Sequence, residues 1–146
     1  MNTEVYNMDC MEYMRTLPDK AFQLAIVDPP YGLDRKSTQG AGKLKNRELN
    51  KADIARRWDT APTEEYFKEL RRVSENQIIW GGNYFPLPPT RCFLIWRKLT
   101  ISENFTMAMA EYAWTSFNSN AKVFEFAPQG KAGDTRFHPT QKPVEL

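Results

Sequence analysis

The nearly continuous apolar run Phe22–Val27, closed by Asp28, Pro29 and Pro30, constrains this chain more than any other feature. A run of this kind suits a strand buried on both faces of a parallel sheet. The two prolines remove successive backbone donors and bar further ladder pairing, so the strand ends there and the chain turns.

Around this run the pattern alternates. Glu4 to Asn7 reads as a short strand, and Cys10 to Leu17 carries apolar residues at helical spacing until Pro18 stops it. Thr63 to Val73 reads as a helix: Thr63 can cap it, Glu64 and Glu65 favour the positive end of its dipole, and Tyr66, Phe67, Leu70 and Val73 form an apolar stripe. Gln77 to Trp80 and Phe93 to Trp96 read as further strands, with Gly81 and Gly82 marking a sharp turn between them. Glu103 to Ala110 reads as helical, then Ala113 to Phe117 and Val123 to Ala127 as strands. The alternation predicts an α/β domain with a largely parallel sheet.

The length of 146 residues suits one domain spanning the whole chain. Twenty basic residues against eighteen acidic ones give a net charge of +2, but the distribution is uneven. Arg35, Lys36, Lys43, Lys45, Arg47, Lys51, Arg56 and Arg57 face only Glu48 and Asp53 within that span, a local +6 that leaves −4 for the remainder. With Gly, Asn, Ser and Thr interspersed, residues 33–57 are expected to form a basic loop or lid. Such a segment suits nucleic acid, because neutralised phosphates release counterions; a solvated loop is the alternative. Two cysteines and one histidine supply neither a disulfide framework nor a zinc cluster. Neither a signal-peptide pattern nor a run of about 20 apolar residues is present, so a cytoplasmic setting without membrane insertion is expected.

The tetrad Asp28-Pro29-Pro30-Tyr31 falls at the carboxyl end of a strand, where open α/β sheets bind ligands. Its parts match the demands of alkylating an exocyclic amine, whose lone pair is delocalised into its ring. A carboxylate can accept one amine hydrogen and a rigidly held prolyl carbonyl the other, drawing the nitrogen toward tetrahedral geometry. Tyr31 offers a flat face for a base taken out of its stack. The bland alternative is a strand-ending turn in which Asp28 caps local amides.

Taken with Tyr6-Asn7-Met8-Asp9-Cys10, Trp80-Gly81-Gly82-Asn83 and His138-Pro139-Thr140-Gln141-Lys142-Pro143, the tetrad resembles the bacterial and phage DNA amino-methyltransferases of the circularly permuted group, in which the Asp-Pro-Pro-Tyr motif precedes the cofactor motif. The resemblance covers nearly the whole chain. It implies a Rossmann-like methyltransferase fold, double-stranded DNA as partner and S-adenosylmethionine as methyl donor. Residues 28–31 would be the catalytic loop. Asp28 with Asp9 and Cys10, and with His138, Thr140, Gln141 and Lys142, would line the donor site; Lys36, Lys43, Lys45 and Arg47 would contact phosphates. Asp rather than Ser at the head of the tetrad favours adenine over cytosine. A carbon-methylating enzyme would need a Pro-Cys nucleophile, which the sequence lacks, and no zinc ligands for a deaminase are present.

In the family a strand with a glycine-bearing loop follows the lysine-proline motif, and no such loop follows Lys142-Pro143 here. The resemblance therefore implies a partial fold lacking C-terminal strands and helices, with a bare sheet edge that a second chain or a homo-oligomer could cover. The chain alone is expected to bind the donor weakly or not at all and to be inactive. Rival readings are methylation of cytosine's amine, of RNA or of a protein glutamine, and a catalytically dead nucleic-acid-binding or assembly module.

Overall fold

The structure, a computed structural model, describes residues 3–33, 59–104 and 108–128. The predicted donor-site residues His138, Thr140, Gln141 and Lys142, the phosphate-contact residues Lys36, Lys43, Lys45 and Arg47, and Trp58 lie outside the described residues. The fold is mixed α/β, and among the described residues the sheet has five strands in the order β1-β2-β4-β3-β5. By compactness the chain divides into two units, Met1–Glu75 and Asn76–Leu146.

In the first unit, α1 (Cys10–Thr16) is capped by Asp9, whose carboxylate accepts from the amides of Met11 and Glu12. β1 (Phe22–Val27) forms where the apolar run predicts it. Its surroundings correct the expectation of burial on both faces: Phe22, Leu24 and Ile26 are exposed. Among the described residues β1 is also the last strand on its side of the sheet, and no described element covers the face that carries these three side chains well enough to bury them. No strand forms at Glu4 to Asn7, which carry no regular secondary structure.

α2 (Glu64–Val73) buries Phe67, Leu70 and Val73 on one face, as the stripe predicts. Thr63 occupies the cap position, but its side chain makes no capping hydrogen bond; the Tyr66 amide donates instead to the Thr63 carbonyl. Arg72, on the last turn of α2, joins this helix to α1. Its guanidinium donates to the carbonyls of Met14 and Leu17 and to the carboxylates of Asp19 and Glu69. The Met14 carbonyl also accepts from the Leu17 amide at the end of α1, so the guanidinium adds a second donor to it.

β2 (Ser74–Trp80) follows α2 without a loop. In the second unit β2 pairs antiparallel with β4 (Ala110–Thr115), β4 antiparallel with β3 (Phe93–Lys98), and β3 parallel with β5 (Lys122–Phe126). The sheet is therefore mixed, which corrects the expectation of a largely parallel one. The reason lies in the β3–β4 connection. Residues 103–104 and 108–109 are not helical and Ala110 already belongs to β4, so the helix expected over Glu103 to Ala110 is absent from every described residue of that span. Parallel neighbours need a crossover of about a dozen residues or more, usually helical. Without a helix in its described part, the connection of residues 99–109 returns β4 antiparallel against β3, and β5 takes the other side of β3.

Trp80, Trp96 and Ala113 form the core of this unit, with Ile78, Leu94 and Phe126 packed against them. The Gly81-Gly82 turn is required by two separate constraints. Gly81 has φ of 67°, a left-handed conformation that costs a side-chain-bearing residue. A Cβ on Gly82 would lie 2.4 Å from the Cβ of Trp114. Among the described residues no helix is long and apolar enough to cross a membrane.

Candidate functional site

The tetrad emerges from the end of β1 within the first unit. Asp28 is exposed, Pro29 buried, Pro30 exposed and Tyr31 half-buried. The buried Pro29 anchors the turn while the groups on either side of it reach the surface. The Tyr31 hydroxyl donates to Asp28 Oδ1 at 2.8 Å. An ionised carboxylate offers about four lone-pair directions, so this phenolic hydrogen takes up only a fraction of what Asp28 can accept.

After Tyr31 the chain passes through Gly32 at φ of 66°. The Gly32 amide donates to Asp59 Oδ1 at 2.8 Å and the Leu33 amide to Asp59 Oδ2 at 3.1 Å, so one carboxylate holds two successive amides. Gly32 also lies against the following segment: a Cβ there would stand 2.8 Å from the Ala61 Cβ. The loop bearing Asp28 and Tyr31 is thus tied at one end by β1 and at the other by Asp59.

Sequence reasoning missed Asp59. It lies 27 positions from Gly32, and nothing in spacing or periodicity joins the two. No signal in the sequence singles it out from the other carboxylates.

Of the residues expected on the donor side, Asp9 and Cys10 are described. Asp9 Oδ1 is engaged by the Met11 amide at 2.8 Å and the Glu12 amide at 3.2 Å, so its first role is to cap α1. Cys10 is exposed and unpaired with Cys92, which is buried. Tyr66, from α2, has its phenol pushed up from the ordinary 10.0 to about 12, chiefly by burial and secondarily by the charge of Cys10. Tyr6 stacks on Tyr13 with centroids 5.0 Å apart, placing an aromatic pair just before and within α1.

Trp80, in the Trp80-Gly81-Gly82-Asn83 turn of the second unit, is buried in that unit's core. The structure therefore places Asp9, Cys10 and residues 28–31 in one unit. No protein-family model matches the chain, and no solved structure matches it.

Proposed function

We propose that this chain supplies the target-base side of an S-adenosylmethionine-dependent DNA amino-methyltransferase acting on the exocyclic amine of adenine. The observation that carries the reading is the exposed Asp28 carboxylate in hydrogen-bond contact with the half-buried Tyr31 phenol at the end of β1. This contact joins a hydrogen-bond acceptor to an aromatic ring within one turn.

The chemistry asked of these residues is positional. Asp28 accepts one hydrogen of the amine, and the Pro29 carbonyl is the second acceptor. Together they weaken the overlap between the nitrogen lone pair and the ring, so that the lone pair can point at an electrophile. Tyr31 stacks on the base once it has left the duplex. S-adenosylmethionine supplies an electrophilic methyl group on a sulfonium, and direct transfer needs no covalent enzyme intermediate. By the family resemblance, Asp9 and Cys10 are the described residues that would line the donor's adenosine end.

The test is expression of the complete reading frame encoding this chain in a bacterial host without DNA methylation of its own, followed by digestion of the DNA to nucleosides and mass analysis. N6-methyldeoxyadenosine that disappears in Asp28→Ala is the expected result. A cytosine methylated on its amine in place of adenine would refute the base assignment, and no methylated nucleoside at all would refute the reading.

A further inference from the structure

We infer that Asp59 is a positioning residue of this site, holding the Asp28–Tyr31 loop in the geometry that grips the amine; the inference rests on the methyltransferase reading above. Three observations converge on it. Asp59 accepts from two consecutive amides, with Oδ1 on Gly32 and Oδ2 on Leu33. The first of these amides belongs to the residue adjoining Tyr31, so the clamp acts one peptide unit from the stacking ring. Gly32 sits in the left-handed region and in tight contact with Ala61, two residues beyond Asp59, so the loop can be drawn against that segment only when position 32 has no side chain.

The chemistry of the clamp is specific to a carboxylate. Two successive backbone N–H groups turned to one side form a concave anion site, and an ionised acceptor binds them more strongly than a neutral one would. An amide side chain cannot replace it. In Asp59→Asn one oxygen still accepts, but the NH2 faces a second donor, so one hydrogen bond is lost and two donors oppose each other. Asp59→Glu keeps both oxygens at the cost of one extra methylene.

Asp59 touches neither the acceptor groups nor the ring, and its effect passes through the backbone. Loosening a reacting group by about 1 Å can cost on the order of 100-fold in rate, and the affected quantity is the rate of the bound complex. The experiment compares wild type, Asp59→Asn, Asp59→Glu and Gly32→Ala in the full protein. It reads methyl transfer to DNA, hydrogen exchange at the Gly32 and Leu33 amides, and thermal unfolding.

Asp59→Asn is expected to lose amide protection at Gly32 and Leu33 and to lower kcat about 100-fold with KM for S-adenosylmethionine within about twofold. Gly32→Ala should follow it, and Asp59→Glu should recover much of the rate. A wild-type protein that protects both amides yet transfers no methyl group overturns the functional reading. Methyl transfer by Asp59→Asn at a kcat within twofold of a methylating wild type overturns the positioning role alone. Equal falls in kcat and unfolding temperature for Asp59→Asn and Asp59→Glu would also overturn it, by showing a purely structural contribution.

Discussion

Replacing Gly82 by Ala sets two opposing effects against each other, and the geometry says which one wins. Alanine restricts the unfolded chain, which stabilises by about 0.4–1 kcal/mol wherever the folded backbone tolerates it. Gly82 is not among the glycines with positive φ, so that gain is available here, unlike at Gly81. Against it stands the new methyl group, 2.4 Å from the Trp114 Cβ and 3.1 Å from the Trp114 backbone nitrogen. Carbon atoms pack favourably at about 3.5–4.0 Å, so more than 1 Å must be found. Both carbons are attached directly to backbone, and no rotamer change moves either. Trp114 is also held through its indole N–H, which donates to the Pro88 carbonyl at 2.7 Å. Overpacking of this kind costs about 1–3 kcal/mol, and the fixed partners place it at the upper end. The net expected loss is about 2 kcal/mol, roughly a 30-fold fall in the folding equilibrium constant. Urea denaturation followed by tryptophan fluorescence suits the measurement, since Trp80, Trp96 and Trp114 are all buried in the second unit. The midpoint should fall with an unchanged slope. A Gly82→Ala protein as stable as wild type would refute the packing argument.

The remaining predictions concern charge and protonation. Lys98→Met should cost about 2 kcal/mol or more, because Lys98 is 6% exposed and pairs at 2.6 Å with Glu111, itself 26% exposed, whereas Arg97→Met should cost under about 1 kcal/mol, its partnership with Glu125 being 61% and 50% exposed; equal midpoints for the two variants in chemical denaturation would contradict this. Burial raises the Tyr66 phenol to about 12 from 10.0, so the folded protein keeps a proton the unfolded chain gives up. The corresponding stability is complete below about pH 10 and is lost as pH climbs toward about 12, a slope that Tyr66→Phe should flatten in denaturation midpoints measured across that window. Asp28→Ala, at an exposed position, should change stability by less than about 0.5 kcal/mol while abolishing methylation; a large fall in unfolding temperature would mean that Asp28 holds up the loop rather than the substrate.

Elements whose cause is local could be read from the chain. The apolar run with its prolines gave β1, and the spacing of Phe67, Leu70 and Val73 gave the buried face of α2. Readings that depended on distant partners failed. A continuous apolar run reports affinity for burial but not how many neighbours a strand will have, so β1 was expected inside and lies at an edge with Ile26 63% exposed. Likewise β4 and β5 are rich in aromatic and β-branched residues, which mark strands without stating their direction. Direction is set by tertiary pairing, antiparallel for β3–β4 and parallel for β3–β5. In the candidate site, Asp28 and Tyr31 were visible because their chemistry is carried in one tetrad. Asp59 was not, because a carboxylate that serves remote amides looks in sequence like any other.

The exposure of β1 bears directly on how the tetrad can be precise. A loop on a deeply buried strand inherits rigidity from packing, since side chains in a close-packed interior have little room to shift. β1 offers little of this, with Phe22, Leu24 and Ile26 all open to solvent. Beyond the buried Pro29, the loop is therefore held by constraints that do not depend on the packing of β1. Two are present: a Pro-Pro pair that removes backbone freedom ahead of Tyr31, and a charged acceptor that pins the two amides behind it. The second of these keeps its geometry only while its hydrogen bonds are intact. Loss of the Asp59 carboxylate should consequently disturb the tetrad far more than a conservative change within β1 itself, such as Ile26→Val, whose side chain has little packing to lose.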